Sequence, residues 1–171
     1  MRLSLLSAMM LSLFSGFGSA EAAPLKVGDP VPAVTVNDQD GKPVDVAESG
    51  AKGLLLVYFY PKADTPGCTK QGCSLRDSWG ELQKRGVTVL GVSSDDEKGQ
   101  KAFREKYNLP FRLLADKDKK AIAAFRVGST FGFASRTAFL FENGKCVWID
   151  PKSSTGDQAE VVLKFLDTRG R

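Results

Sequence analysis

An α/β domain with a central mixed β-sheet flanked by helices is predicted by three features of the sequence. Two continuous apolar runs, "LLLVYFYP" at 54–61 and "VTVLGVSS" at 87–94, fit strands buried on both faces of a sheet. Each is followed by a polar segment whose apolar residues recur at helical spacing. Near the end of the chain, "RTAFLFE" and "KCVWIDP" flank Asn143-Gly144, the strongest two-residue hairpin signal. Strands that alternate with helices and finish in an antiparallel hairpin make a mixed sheet with helices on both faces.

The elements follow in order. Residues 24–53 are rich in Gly, Pro and Asp, with one short alternation at Val34 and Val36, and read as an irregular or hairpin-forming arm. After the first buried strand, Leu75, Trp79 and Leu82 lie four and three apart, one stripe of a helix over about 68–85 that Gly86 caps. The second strand leads into "DDEKGQKAFREKYNL", a helix with Asp95 or Asp96 as N-cap. "FRLLAD" at 111–116 is a short strand and "KKAIAAFRV" at 119–127 a short helix. A closing helix carries Val161, Val162, Phe165 and Leu166 on its apolar side. This order is that of a thioredoxin-like fold with extra N-terminal structure and an insertion.

Ahead of the domain, expected over 23–171, residues 1–22 have one cation at Arg2 and an apolar run from Leu3 to Phe17. Ala20-Glu21-Ala22 then follows in a small-x-small pattern. This is the layout of a secretory signal cut after Ala22, and the run is too short and too interrupted by serines to span a bilayer. The expectation is an exported chain, periplasmic or secreted, with no membrane association after cleavage. The net charge of +4 is spread through interleaved acidic and basic residues, with no basic run carrying aromatics, so a nucleic-acid surface is not expected.

The chain has three cysteines, Cys68, Cys73 and Cys146, and no histidine. An odd count leaves at least one thiol outside any closed disulfide framework. Without histidine, a metal centre and haem attachment are not expected either, and no cofactor is called for. Cys68 falls where a buried strand turns through a proline-glycine loop into the first turn of a helix. Reaction sites in open α/β sheets gather at such strand ends. The unpaired N–H groups and positive dipole end there favour a thiolate over a thiol, so no imidazole is needed to take the proton. In "PKADTPGC", Pro61 and Pro66 stiffen the loop, and Gly67 permits close approach to a small substrate. Thr65 sets a hydroxyl within reach of both the sulfur and a substrate oxygen.

The ordered set Pro61, Thr65 and Cys68 is similar to the active-site signature of the peroxiredoxins. The longer string "FYPKADTPGCTKQGCSLRD" resembles the subfamily called bacterioferritin comigratory protein or peroxiredoxin Q. The likeness continues through "GVSSDDEKGQKAFREKYNLPFRLLAD" and "SRTAFLFENGK" and implies the peroxiredoxin type of thioredoxin-like fold. It implies that Cys68 is the peroxidatic cysteine, becoming a sulfenic acid. Thr65 and the amides of Gly67 and Cys68 would position the peroxide. Arg136 would hold the thiolate and stabilise charge as the O–O bond opens, and Pro61 would shield the sulfur from water. Cys73 would be the resolving cysteine, closing an intramolecular disulfide reduced by a thioredoxin-like or glutaredoxin-like protein. Hydrogen peroxide and organic hydroperoxides are the implied substrates and a monomer the implied state. Cys146, in the second hairpin strand, matches no motif and reads as a packing residue.

Two other readings stay open at this point. One is an exported thioredoxin-like thiol-disulfide oxidoreductase, although four residues separate Cys68 from Cys73 where such proteins usually have two. The other is a binding module in which the two cysteines form a permanent bridge.

Overall fold

In the computed structural model, which describes residues 23–169, the first elements among those residues are an antiparallel hairpin, β1 (Thr35–Asn37) and β2 (Pro43–Asp45), and a short helix, α1 (Val46–Gly50). The leader expected at 1–22 lies outside the described residues. The hairpin agrees with the sequence reading, but α1 is an addition to it. Asp45 caps α1, its carboxylate accepting the Glu48 N–H at 3.0 Å. A helix of five residues is too short to show an apolar period.

The first apolar run forms β3 (Leu54–Phe59), which is followed by α2 (Pro66–Asp77), α3 (Trp79–Lys84), β4 (Val87–Ser93), α4 (Glu97–Lys106) and β5 (Arg112–Ala115). β3 pairs in parallel with β4, and β4 with β5, so the intervening helices are crossovers. Asp96 is the N-cap of α4, accepting the Gly99 N–H at 2.8 Å. The single helix expected over 68–85 is instead two. At Ser78 φ is −99° and ψ 11°, out of the helical range, and Ser78 is at once the C-cap of α2 and the N-cap of α3. The i→i+4 bonds nevertheless continue across this junction, Ser78 N–H to Ser74 O at 3.2 Å and Leu82 N–H to Ser78 O at 3.1 Å. The apolar stripe therefore survives, with Leu75 and Leu82 fully buried on one side of it. Gly86 closes the segment at φ +71°, the left-handed position expected of it.

The insertion after β5 holds α5 (Lys120–Ala124) and a small hairpin, β6 (Ser129–Thr130) with β7 (Phe133–Ala134). Then come β8 (Thr137–Glu142), β9 (Lys145–Asp150) and α6 (Gln158–Arg169). β8 lies antiparallel beside β3, giving the sheet order β5-β4-β3-β8-β9. Asn143 and Gly144, at φ 48° and 83°, form the tight turn between β8 and β9, whose two central residues both need positive φ.

This is a thioredoxin-like mixed sheet with β3 at its centre. One core lies on the face covered by the N-terminal arm and α5, around Phe59, Phe125, Phe139 and Phe141. The other lies under α2, α3, α4 and α6 and includes Tyr58, Leu75, Phe103, Leu113 and Cys68 itself. Among the described residues, no helix is long and apolar enough to cross a membrane.

Candidate active site

The local sequence dictates where Cys68 sits. β3 ends at Phe59, and Pro61 forbids its continuation. The loop that follows is pinned at several points. The Tyr60 hydroxyl donates to Gln100 Oε1, the Ala63 N–H donates to the Asp95 carboxylate at 2.8 Å, and Asp64 accepts from Lys106 Nζ at 2.7 Å and the Tyr107 hydroxyl at 2.6 Å. Thr65 is then the extended N-cap of α2, and Pro66 stands at the first helical position, where its missing N–H costs nothing.

The first intrahelical bond runs from Thr69 N–H to Thr65 O at 2.8 Å. The amides of Gly67 and Cys68 precede it, so no helix carbonyl takes them, and they form the donor end of the helix. Cys68 is 1% exposed. Its sulfur accepts a hydrogen bond from Arg136 Nη2 at 3.4 Å. Arg136 immediately precedes β8, the antiparallel neighbour of β3, so the sheet itself carries the guanidinium to the cysteine. Gly67 leaves room where the two meet. A Cβ there would stand 3.2 Å from Arg136 Nη2 and 3.4 Å from the Thr155 methyl.

Thr65 differs in one respect from the sequence reading. Its hydroxyl proton goes to the Lys62 carbonyl at 2.9 Å, not to the Cys68 sulfur, which leaves the oxygen as an acceptor. Pro61 is half-buried at the start of the same loop. Cys73 is on α2 with Cys68, partly exposed, and both are free thiols. Cys146 is buried far from them on β9, its thiol 3.6 Å from the Trp148 carbonyl, and burial pushes that thiol above its ordinary range.

The phenol of Tyr58, fully buried beneath α2, is held well above its usual value chiefly by desolvation, so it keeps its proton and cannot serve as a base. Its hydroxyl fits only because residue 91 is glycine; a Cβ there would lie 2.7 Å from it. The sulfur is thus served by the Arg136 guanidinium, and the buried phenol in the core beneath it does not act as a base.

Sequence reasoning missed the residues behind the guanidinium. Arg136 Nη1 donates to Gln71 Oε1, and Gln71 Nε2 donates in turn to Gln158 Oε1 at 2.8 Å and Ser153 Oγ at 3.4 Å. Gln71 and Gln158 are completely buried. The only sign in the sequence is a glutamine three residues after Cys68, on the helix face that Cys68 occupies. Nothing local marks Ser153 or Gln158. A cleft of about 620 Å³ between the N-terminal hairpin and β5, with Trp79 and Arg112 in its wall, contains none of the site residues. Among the described residues no cluster of three or more His, Cys, Asp or Glu side chains is placed to hold a metal.

A buried cysteine in the first turn of a helix, its sulfur accepting a hydrogen bond from an arginine, places the protein among the thiol enzymes built on the thioredoxin-like fold. Within that class the chain belongs to the AhpC/TSA family, whose model matches residues 27–149, and specifically to the peroxiredoxins of the bacterioferritin comigratory protein and peroxiredoxin Q kind. It is 41% identical over 151 residues to "Peroxiredoxin Bcp" of Escherichia coli strain K12, covering 84% of this chain and 96% of that one. It is 47% identical over 150 residues to the chloroplastic "Peroxiredoxin Q" of Gentiana triflora, covering 85% of this chain and 69% of that one. Among solved structures, the bacterioferritin comigratory protein of Xanthomonas campestris superposes with a TM-score of 0.76 at 28% identity, over 85% of this chain and 100% of that one. The enzyme is a thiol-dependent peroxidase.

Proposed function

We propose that the enzyme reduces hydrogen peroxide and organic hydroperoxides through a sulfenate on Cys68 and a Cys68–Cys73 disulfide. The observation that carries this reading is the contact of Arg136 Nη2 with Cys68 Sγ, 3.4 Å, at the donor end of α2. In the first step the Cys68 thiolate attacks the outer peroxide oxygen. The S–O bond forms as the O–O bond breaks, and the departing alkoxide or hydroxide takes a proton from solvent. Negative charge moves from sulfur to the leaving oxygen, and Arg136 with the Gly67 and Cys68 amides faces that charge throughout. The Thr65 oxygen, its own proton committed to Lys62, accepts the peroxide O–H and sets its orientation. Pro61, at the start of the loop, limits water at the sulfur. The alkyl peroxide reduction activity of the Xanthomonas campestris protein supports including organic hydroperoxides.

In the second step the Cys73 thiol condenses with the sulfenic acid, forming the S–S bond and releasing water. A thioredoxin-like or glutaredoxin-like protein then reduces the bridge by thiol–disulfide exchange. The leader-like composition of residues 1–22 supports an exported enzyme, periplasmic or secreted, and the subfamily supports a monomer.

Peroxide consumption by the wild type, Cys68→Ser and Cys73→Ser proteins, with thioredoxin and glutaredoxin systems offered separately, tests the cycle. Turnover with at least one system, lost in both variants, is expected. Reduction of insulin disulfides with no peroxide consumed would instead favour a thiol-disulfide oxidoreductase.

A further inference from the structure

We propose that Gln158, the first residue of α6, is a positioning residue for the peroxide step: it fixes which end of the Gln71 amide faces Arg136, and so holds the guanidinium on the Cys68 sulfur. The inference rests on the reading of Arg136 given above and extends the site to a second helix, α6.

The polarity of the chain of contacts is forced by its first member. A guanidinium only donates, so Gln71 must present Oε1 to Arg136 Nη1, and its Nε2 must point away. Gln71 is completely buried, so its Nε2 depends on protein acceptors. A turned Gln71 amide would set N–H groups against the N–H groups of Arg136, and the guanidinium would have to leave. The acceptor that holds the correct orientation is Gln158 Oε1, at 2.8 Å. Ser153 Oγ lies farther off, at 3.4 Å, and a hydroxyl suits either orientation because it both donates and accepts.

Two further observations single out Gln158. Its own Nε2 is buried and has no hydrogen-bond partner among the described residues. An unpaired buried donor is destabilising, and a residue that keeps one calls for a reason other than stability. The acceptor half of the same amide supplies that reason. In addition, the start of α6 is locked in place, since the Ala159 N–H donates to Ser74 Oγ on α2 at 3.1 Å. The Ser153 N–H donates to the Arg136 carbonyl at 3.2 Å, so the backbone of Arg136 is tied to the same segment. α6 therefore grips α2 one to two turns after Cys68, at Gln71 and Ser74, and directs the arginine through Gln71.

The test uses the full chain, reduced, with hydrogen peroxide in single turnover, following sulfenate formation on Cys68. Alkylation of Cys68 by iodoacetamide, which breaks no O–O bond, is followed in parallel. Gln158→Leu, which removes the acceptor, should slow the peroxide step tenfold or more and alkylation much less. Gln158→Glu, which keeps an acceptor, should restore most of the peroxide rate. Gln158→Met takes the place of the leucine variant should that fail to fold. A wild-type peroxide rate in Gln158→Leu, alongside a slow Arg136→Met control, would overturn the proposal. Equal losses in both reactions without rescue by Gln158→Glu would also overturn it, by showing a structural role only. An unchanged rate in Arg136→Met would instead refute the reading of the site on which the proposal rests.

Discussion

Arg136 and Cys68 are 68 residues apart in sequence, yet Nη2 of one donates to Sγ of the other at 3.4 Å. The contact exists because β8 returns antiparallel beside β3, placing the residue that precedes one strand next to the loop that leaves the other. The same relationship puts a permanent cation where a base would otherwise be needed. An arginine keeps its charge at every working pH, whereas a histidine would titrate.

Replacing Arg136 by Met keeps most of the volume and removes the charge and the donors. The second-order rate of Cys68 with peroxide should fall by roughly a hundredfold or more, the order seen when a donor aimed at transition-state charge is lost. Stopped-flow oxidation at a range of pH values checks this. Recovery of the full rate at high pH would show that Arg136 serves only to form the thiolate.

Gly67→Ala tests the fit around the guanidinium. A Cβ 3.2 Å from Arg136 Nη2 and 3.4 Å from Thr155 obliges the arginine to shift by a few tenths of an ångström. Peroxide reactivity should drop by about tenfold to a hundredfold, since small misplacements of reacting groups are costly. Thermal stability should change little. Wild-type kinetics would mean that the guanidinium yields without consequence.

Both cysteines lie on α2, a regular helix. A spacing of five residues gives a rise of about 7.5 Å and α-carbons roughly 8 to 9 Å apart, beyond the about 7 Å a disulfide tolerates. In the proposed cycle the start of α2 must therefore unwind before Cys73 reaches the sulfenate. Unwinding breaks the links from Gln71 and Ser74 to α6, so the oxidised enzyme should be less stable. Amide exchange should quicken between Gly67 and Trp79, with a shift in Trp79 fluorescence. Equal protection in both redox states, with the bridge confirmed by mass, would contradict this.

Much of this was legible in the sequence, for physical reasons. The strands β3 and β4 announce themselves because burial on both faces demands unbroken apolar runs. The β8–β9 turn does so because few residues besides Asn-Gly accept two positive φ angles in succession. Cys68 and its loop were legible because proline, threonine and glycine mark a helix start. The break at Ser78 was not, since the apolar stripe runs through it undisturbed. The buried chain from Arg136 through Gln71 to Gln158 was not either. It joins three elements, and an amide buried by long-range packing has the same letter as one on the surface.

Cys146 provides a separate check, on packing. Burial raises its thiol in the folded state, while the unfolded thiol ionises near its ordinary value of about 8.5. Above that pH the unfolded chain binds fewer protons than the folded one, so stability should decline as pH rises from about 8.5 through the raised folded value. In a Cys68→Ser/Cys73→Ser background this decline should flatten on Cys146→Ala, as read by urea denaturation from about pH 7 to about pH 10, a window that brackets the ordinary thiol value. An identical slope would show that Cys146 is not protected as its burial implies.

The whole cycle depends on Cys68 being the sulfur that meets the peroxide and Cys73 the one that follows. The most direct measurement treats reduced Cys73→Ser protein with one equivalent of hydrogen peroxide, traps sulfenic acid with a dimedone reagent, and locates the adduct by peptide mass spectrometry. The expected result is a single adduct on Cys68, matched in the wild type by a Cys68–Cys73 bridge and no adduct. An adduct on Cys146, or full peroxidase activity in Cys68→Ser, would contradict it.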